Sequence, residues 1–398
     1  MTLERYRQVR DFTTKLAENL EPEDLVVQSM EEVSPTKWHL AHTSWFWEVF
    51  LLEPFLPGYE PLDPRYHFLF NSYYVQAGER HCRAQRGYLS RPTVRQVMAY
   101  RAHVDEAMGR LLDSGREGIR ELVDLGLNHE QQHQELILTD LKHVFSVNPL
   151  RPAYGSLPSS ASAIRSVEWL EFDGGIHEIG WDGKGFAYDN EGPRHRVFLE
   201  PFALADRLVT NREYLEFMED GGYERSELWM SEGWGRGWTE PFYWERRDGE
   251  WWSYTLGGLR PIAPAEPVVH LNWFEADAFA RWADARLPRE EEWEVVAAGY
   301  PIEGNLADSG RFHPAPARGP QFYGDVWEWT GSSYSPYPGY RPPTGAVGEY
   351  NGKFMSNQHV LRGGSCVTSA SHLRPTYRNF FPADTSWQFS GLRLARDL

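Results

Sequence analysis

Residues 128–135 read Asn-His-Glu-Gln-Gln-His-Gln-Glu, and this stretch decides the fold of the first half of the chain. His129 and His133 stand four residues apart within it. Leucine, isoleucine and valine recur at helical intervals on both sides, which predicts one helix over about residues 118–145. Residues i and i+4 share one helix face. The pair is therefore predicted to offer two imidazoles to one divalent metal ion, instead of lying on a solvated face.

Three more helices are predicted upstream of this one. Apolar residues at three- and four-residue intervals predict a first helix over residues 3–20. A second begins at about residues 34–36, and a third covers residues 93–112. Residues 54–92 form a long loop, which inside a compact domain is usually functional. Four helices predict an up-and-down bundle, where metal sites are built from inward-facing side chains.

The second half of the chain has a different character. Residues 148–166 are rich in Pro, Ser, Ala and Gly, which predicts a linker. Beyond the linker, strands are predicted at residues 168–172, 176–179 and 196–199, and short helices at residues 210–218 and 273–285. A chain of 398 residues is too long for one compact core. Two domains are therefore expected.

Composition excludes several classes of function. The formal net charge of −17 argues against a nucleic-acid or anionic-membrane partner, since both require basic patches. No apolar run of about 18 residues is present, and the polar start of the chain does not resemble a signal peptide. The only cysteines, Cys82 and Cys366, lie far apart, so no disulfide framework is expected. We expect a cytoplasmic protein that is a monomer or a weak homo-oligomer.

Three stretches together resemble the ergothioneine-type sulfoxide synthases, which are non-haem iron enzymes that use O2 to join a thiol to imidazole C2 of hercynine (Nα-trimethylhistidine). They are Trp38-His39-Leu40-Ala41-His42, the run 129–135, and the C-terminal segments 361–365, 374–381 and 387–393. The resemblance covers nearly the whole chain. It implies an α+β protein, with a DinB-like four-helix bundle at residues 1–150 and a formylglycine-generating-enzyme-like domain with a C-type-lectin-like core at residues 165–398. Residues 324–329, Gly-Asp-Val-Trp-Glu-Trp, are a second mark of that domain.

The resemblance also implies the cofactor and its ligands. His42, His129 and His133 match the residues that hold Fe(II), whereas the other histidine of the first motif does not. Three neutral imidazoles leave three octahedral positions open, and the absence of a carboxylate ligand sets the site apart from two-His-one-carboxylate oxygenases. Each imidazole needs an acceptor for its second N–H, and Glu130 or Glu135 is expected to serve.

A pair of tyrosines is implied as the catalytic acid. Tyr73 and Tyr74 match the pair that one bacterial subclass brings to the iron from the long bundle loop. One of them would donate a proton during the oxygen chemistry and direct it towards C–S bonding instead of thiol dioxygenation. A phenol suits this role because it holds a transferable proton at neutral pH. Which tyrosine donates is left open.

Substrate recognition requires aromatic faces and amide oxygens for a trimethylammonium group, and an arginine for a carboxylate. Asn379 and Phe380 match the family's trimethylammonium positions, and Gln132 is the matching amide of the bundle. Trp387 and Phe389 are candidate additional walls. The candidate carboxylate-binding residues are Arg83, Arg86, Arg374 and Arg378.

Departures from the family pattern bear on the donor. Phe381 and Thr385 stand where the γ-glutamylcysteine-using subclass has an acidic residue and an arginine. The tyrosine pair and the Asn-Phe-Phe run resemble the cysteine-using subclass more closely, but Ser386 stands where that subclass has an arginine. A neutral selenosugar, the donor of the related selenoneine synthases, needs no such charge. Cysteine and a selenosugar both remain candidates.

Three other interpretations compete with this one. Residues 129–133 also fit the H-E-x-x-H helix of zinc proteases, with Glu130 as general base, although no third ligand of metzincin spacing follows. Formylglycine-generating enzymes oxidise cysteines with a pair of thiols, and the second domain holds only Cys366. A non-catalytic lectin-like binding module would give the three histidines no role.

Overall fold

The computed structural model describes residues 3–158, 163–349 and 351–398 in two compact units. The first, the helical unit, comprises the chain up to residue 150 together with residues 342–351. The second, the mixed unit, comprises residues 151–341 and 352–398. No helix in the described parts of the chain combines the length and the apolar character that a membrane crossing requires.

Six α-helices are described in the helical unit. They are α1 (Leu3–Lys15), α2 (Thr36–Trp47), α3 (Glu53–Phe55), α4 (Tyr66–Phe70), α5 (Val94–Asp113) and α6 (Arg120–Val147). The first helix is shorter than predicted and ends at Lys15, whereas α5 and α6 lie within two residues of their predicted bounds. A capping box between Thr93 and Gln96 fixes the start of α5. A π-helical turn at Glu48–Leu52 continues α2 towards α3.

The core of the helical unit surrounds α2, which is buried along its entire length. Its sequence, Thr-Lys-Trp-His-Leu-Ala-His-Thr-Ser-Trp-Phe-Trp, has no exposed face, as expected for a central helix. Helix α6 lies against it at Gly126, where an added Cβ would come 2.5 Å from the Trp47 ring. This glycine therefore allows α6 to approach α2 one turn before the first histidine of the 129–133 pair.

The mixed unit contains short strands. They are β1 (Trp169–Phe172), β2 (Gly175–Ile179), β3 (His195–Leu199), β4 (Phe202–Ala205), β5 (Trp244–Arg247), β6 (Glu250–Thr255), β7 (Gly258–Pro261), β8 (Gly304–Asn305), β9 (Tyr323–Gly324), β10 (Trp327–Ser333), β11 (Gln358–Arg362), β12 (Asn379–Pro382), β13 (Ser390–Gly391) and β14 (Ala395–Asp397). The larger sheets have the orders β1-β4-β14, β12-β11-β10-β13 and β5-β6-β7, and β2-β3 and β8-β9 form pairs. The helices are α7 (Asn211–Glu219), α8 (Ser231–Trp234), α9 (Trp273–Trp282) and α10 (Glu290–Ala297). The three predicted strands correspond to β1, β2 and β3.

Candidate metal centre

The structure brings the three predicted imidazoles together inside the helical unit. His42 comes from α2, and His129 and His133 come from α6. Each ring offers one nitrogen, and the three nitrogens lie within 4.8 Å of one another. The His42 Nε2 and His129 Nε2 atoms are 3.2 Å apart. Two nitrogens bound to one ion at about 2.1 Å, with about 90–109° between the bonds, lie about 3.0–3.4 Å apart, so the spacing fits neighbouring ligands.

Hydrogen bonds at the Nδ1 atoms orient two of these rings. The Nδ1–H of His42 donates to the carbonyl oxygen of Phe70 at 2.6 Å, which leaves its Nε2 lone pair for a metal. The Nδ1 of His133 lies 2.8 Å from the Nδ1 of His39. The Nδ1 of His129 is buried and has no hydrogen-bond partner among the described residues. The Nδ1 atoms of His42 and His133 thus have polar neighbours that orient their rings, whereas the Nδ1 of His129 has none among the described residues.

Burial keeps all three imidazoles neutral at pH 7. It lowers the pKa of His129 to about 3, although Glu130 acts in the opposite direction. The pKa values of His42 and His133 lie well below the ordinary value for histidine, first because of burial and then because of the neighbouring imidazoles. Neutral imidazole is the form that binds metals. No carboxylate of the described residues joins these three nitrogens, and a donor set of this kind fits a divalent transition metal.

Aromatic rings pack against the ligand candidates. Trp38 and Trp45 both stack on His42, with ring centroids at 4.5 Å and 5.4 Å. Phe46 stacks on His129 at 4.4 Å. Because α2 is buried throughout, these large rings have little freedom to move, and they hold the imidazole planes in place.

The expected role of Glu130 as an acceptor for a ligand imidazole is wrong. Its carboxylate is fully buried and accepts hydrogen bonds from Trp47 Nε1 at 2.9 Å, Arg10 Nη1 at 3.1 Å and Arg101 Nη2 at 3.2 Å. Burial raises the pKa of Glu130, but the two arginines and these hydrogen bonds outweigh it and lower the pKa to about 2. A carboxylate held in this way is a poor general base, which also removes the basis of the zinc-protease interpretation.

The sequence patterns described above do not identify His39 or Asp140 as residues that support a ligand. Their spacing along the helices could nevertheless have indicated that they lie near the ligands. His39 lies three residues before His42 on α2, and Asp140 lies seven residues, two turns, after His133 on α6. Each therefore shares a helix face with a candidate ligand. His39 Nε2 is 2.9 Å from Asp140 Oδ2, and both residues are buried.

The tyrosine pair lies in the loop that follows α4. Tyr74 is buried, and its ring stacks on Trp45 at 5.7 Å and contacts Phe50 at 5.2 Å. Tyr73 is half-buried, and its hydroxyl oxygen accepts a hydrogen bond from Arg83. Tyr74 is thus one aromatic ring removed from His42, through Trp45.

Arg86 is a buried cation in the same unit. Its guanidinium carbon lies 3.4 Å from the Trp38 ring centroid, and its nitrogens donate to the hydroxyls of Ser34 at 2.8 Å and Ser72 at 3.2 Å. Only 4% of the residue is exposed. No carboxylate in the described parts of the chain forms an ion pair with it. Burial, followed by repulsion from Arg83, lowers its pKa to about 9.

The two arginines predicted in the mixed unit have internal partners. Arg374 forms an ion pair with the buried carboxylate of Glu191. Arg378 donates from Nε and Nη2 to Glu290 at 2.8 Å and 2.9 Å, with both side chains almost fully buried. Carboxylates of the protein thus occupy both guanidinium groups, which favours a structural role over substrate binding.

The other predicted substrate residues differ in how accessible they are. Phe389 is buried and packs on His270 at 4.8 Å. Phe380 is half-buried and stacks on Tyr334 at 4.1 Å. The side-chain oxygen of Asn379 accepts the backbone N–H of residue 380 at 2.9 Å. Trp387 is half-buried in the mixed unit, and Gln132 is half-buried on α6 beside the second histidine of the pair. Phe389 is therefore better described as a core residue.

Comparisons with known proteins agree with this architecture. Residues 5–137 match the DinB superfamily, and residues 159–319 and 305–398 match the sulfatase-modifying factor enzyme 1-like domain. The hercynine oxygenase of Mycolicibacterium smegmatis is 32% identical over 98% of this chain and 97% of its own length. That of Mycolicibacterium thermoresistibile is 32% identical over 92% of this chain and 88% of its own length. The chain belongs to the hercynine oxygenase family.

Membership of this family confirms the predicted α+β class, with a DinB-like helical part and a formylglycine-generating-enzyme-like part. It confirms the resemblance at the level of the family. A formylglycine-generating enzyme from Streptomyces coelicolor is 28% identical over 62% of this chain and 95% of its own length. Hercynine oxygenases thus share the second domain with formylglycine-generating enzymes. In this chain neither the exposed Cys82 nor the buried Cys366 forms a disulfide.

Proposed function

We propose that the protein is an O2-dependent, non-haem Fe(II) enzyme that joins the sulfur of cysteine to imidazole C2 of hercynine, giving a sulfoxide in ergothioneine biosynthesis. The observation that carries this proposal is the convergence of three buried, neutral imidazoles, joined by no carboxylate of the described residues, in a chain whose near-full-length relatives bear the name hercynine oxygenase. The reaction balances as follows. The thiol and imidazole C2 each lose a hydrogen, and O2 supplies the sulfoxide oxygen and one water.

His42, His129 and His133 would hold the metal, which supplies O2 activation and coordination positions for the substrates when bound. The chain's own contribution is to fix the three imidazoles before the metal arrives. Two α6 ligands one turn apart need no rearrangement to share an ion, and the α2 ligand is held by a carbonyl and two indoles. Preorganisation of this kind reduces the cost of metal binding.

Tyr73 is proposed as the proton donor, with Tyr74 as a wall of the same site. The guanidinium of Arg83 donates to the Tyr73 oxygen and would stabilise the negative charge that develops when the phenolic proton leaves. Tyr74, in contrast, is buried among the rings of Trp45 and Phe50. Its ring packing supports a role in shaping the site.

Arg86 supports a donor that carries a carboxylate. A buried charge costs several kcal/mol unless it is paired, and Arg86 has only neutral acceptors among the described residues. It lies on the Trp38 ring, which itself stacks on His42. The carboxylate of cysteine would supply the missing partner, whereas a selenosugar has none. Ser386 is the one observation that favours a selenosugar, so that donor remains the second candidate.

For the trimethylammonium group of hercynine, we retain Asn379, Phe380, Gln132 and Trp387 as candidates because each is half-buried and offers an amide or an aromatic face. Phe389 is not retained, since it is a core residue. Arg374 and Arg378 are not retained either, since both are held by buried glutamates.

The test is a product analysis. Protein loaded with Fe(II) without oxygen is given hercynine together with cysteine, γ-glutamylcysteine or a selenosugar, and then exposed to O2. We expect O2 consumption and, only when cysteine is the donor given with hercynine, a product whose mass equals hercynine plus cysteine plus one oxygen minus two hydrogens. A product only with the selenosugar would establish the second candidate. No O2 consumption with any donor would refute both.

A matched pair of variants connects the activity to the metal site. His133→Ala is expected to lose Fe(II) and all turnover. His143 lies ten residues further along the same helix, is buried, and is 2.7 Å from the Ser29 hydroxyl instead of joining the imidazole cluster. His143→Ala is therefore expected to retain Fe(II). Equal metal content in the two variants would show that the ligand assignment is wrong.

A further inference from the structure

Beyond the three candidate ligands, a fourth imidazole lies in the same buried cluster. His39 contacts His133 on one side and Asp140 on the other, and all three residues are buried. Resting on the metal site proposed above, we propose that His39 and Asp140 are a positioning pair. They hold the His133 imidazole in the tautomer whose Nε2 lone pair faces the metal.

The directions of the hydrogen bonds follow from the chemistry of the groups. A carboxylate can only accept, so the Nε2–H of His39 donates to Asp140 Oδ2 across 2.9 Å. In the neutral form of this ring one nitrogen donates and the other accepts, so in that form the Nδ1 of His39 is the acceptor. His133 Nδ1 lies 2.8 Å from it and must carry the proton. The remaining nitrogen of His133, Nε2, is consequently unprotonated, which is the condition for a metal ligand.

The pair is also anchored. Asp140 Oδ2 accepts the backbone N–H of Ser34 at 2.8 Å, immediately before α2 begins at Thr36. One carboxylate oxygen therefore links the start of α2, the His39 ring on α2 and the turn of α6 that carries the carboxylate itself. Since this oxygen is buried, water cannot easily replace any of these partners.

The three ligands differ in what lies behind them. His42 is backed by the neutral carbonyl of Phe70, and the Nδ1 of His129 has no described partner. Among the described contacts of the three ligands, only that of His133 is with an imidazole that leads to a carboxylate. A negative charge transmitted through hydrogen bonds makes an imidazole a stronger donor to a metal. His133 is therefore the ligand whose metal bond depends most on residues that never touch the metal.

Two substitutions separate the effect of the Asp140 charge from the effect of the hydrogen bonds that His39 forms with Asp140 and His133. Asp140→Asn can retain both hydrogen bonds, because the same position can hold the amide oxygen, but it removes the charge. His39→Ala removes the link entirely. The control is Glu53→Gln, which alters another histidine–carboxylate pair of the helical unit, His67 Nε2 to Glu53 Oε1 at 2.6 Å, in a half-exposed position. For each variant, Fe(II) and Co(II) affinities, the visible spectrum of the Co(II) form and thermal unfolding of the metal-free protein are measured.

We expect Asp140→Asn and His39→Ala to bind Co(II) and Fe(II) about 10- to 100-fold more weakly, with an altered Co(II) spectrum, while Glu53→Gln behaves as the wild type. Wild-type affinity and spectrum in Asp140→Asn would overturn the inference, even if the metal-free protein became less stable, because a purely structural pair affects only unfolding. If His39→Ala does not fold, Asp140→Asn alone decides. A wild-type protein that binds neither ion would refute the metal site itself, which is a separate outcome.

Discussion

Replacing Glu130 by Gln tests whether this residue belongs to the chemistry or to the fold. Glu130 directly follows the first candidate ligand on α6 and occupies the general-base position of the zinc-protease motif. Its carboxylate, however, is buried and held by Arg10, Arg101 and Trp47. We therefore expect Glu130→Gln to lower the stability of the helical unit without removing the metal from the protein that remains folded.

Two routes give the size of the effect. Lowering the pKa of this carboxyl from 4.5 to about 2 corresponds to about 3 kcal/mol, at 1.36 kcal/mol for each tenfold change in the ionisation constant. Loss of one partner from a buried ion pair costs about 3–5 kcal/mol. The lower value is expected, since Arg10 keeps Asp105 at 2.7 Å, whereas Arg101 would be left with neutral acceptors. For a unit of about 150 residues, 3 kcal/mol lowers Tm by about 6–12 °C.

The same substitution changes the response to acid. The pKa of Glu130 is lower in the folded than in the unfolded protein, so its charge stabilises the fold at pH values above about 4.5. This contribution is lost as the pH falls from about 4.5 towards 2. In Glu130→Gln it is absent at every pH, so the stability difference from the wild type should be constant above about pH 5 and shrink below it.

Urea and thermal unfolding followed by circular dichroism, together with metal analysis and a peptidase assay, measure these outcomes. The control is Glu121→Gln at the exposed start of the same helix, which should cost less than about 1 kcal/mol. Unchanged stability of Glu130→Gln at pH 7 would refute the reasoning. A metal-dependent peptidase activity lost in a fully stable Glu130→Gln protein would instead support the protease interpretation.

Three further predictions concern packing, ion pairs and the donor. Gly126→Ala should destabilise the protein by about 1–3 kcal/mol in thermal unfolding, because the new Cβ meets an indole of α2. The control, Gly109→Ala, places its Cβ in open space on α5 and should be neutral or stabilising. Equal effects of the two substitutions would contradict the close approach of α6 to α2. Arg378→Ala should destabilise the mixed unit by about 3–5 kcal/mol in denaturant titrations, because it leaves the buried carboxylate of Glu290 with one partner fewer. The control, Arg212→Ala at an exposed ion pair, should cost less than about 1 kcal/mol. A small loss of stability in both variants would count against the contribution of the buried ion pair. Arg86→Met should raise KM for cysteine about ten- to a hundredfold in initial-rate measurements, since a charge-assisted hydrogen bond contributes about 1.5–3 kcal/mol, and an unchanged KM would remove this arginine from donor binding.

The helical half of the molecule was predictable because its signals are local. The periodicity that predicts a helix over residues 118–145 corresponds to α6 at Arg120–Val147, and the i,i+4 histidines face one point as the spacing requires. That His42 meets them depends on how α2 packs against α6. Here the prediction came from resemblance to a family, since no local pattern specifies which helices touch.

The interactions around the ligands were harder to predict because a sequence does not specify which hydrogen-bond donor pairs with which acceptor. Glu130 and Glu135 were the nearest carboxylates to the ligands and were therefore expected to accept from them. Instead, His42 donates to the carbonyl of Phe70, 28 residues away in sequence, and the acceptor that we propose for His133 is His39, 94 residues away. The arginines of the mixed unit follow the same logic. Arg378 was a candidate for substrate, but a glutamate 88 residues away occupies it.

The register of α6 connects these observations. Glu130 and Gln134, four residues apart, face α1, where Gln134 donates to the Val9 carbonyl at 2.8 Å and Glu130 accepts from Arg10. His129 and His133 form the same i,i+4 pair one position earlier, about 100° around the helix. These polar contacts therefore help to determine where the imidazoles point, since a slip of one residue would bury the histidines against Arg10 and take the carboxylate away from both Arg10 and Trp47. The buried carboxylate of Glu130 thus stabilises the register of α6. This structural role accounts for its position beside the candidate ligands without any part in the chemistry of the metal site.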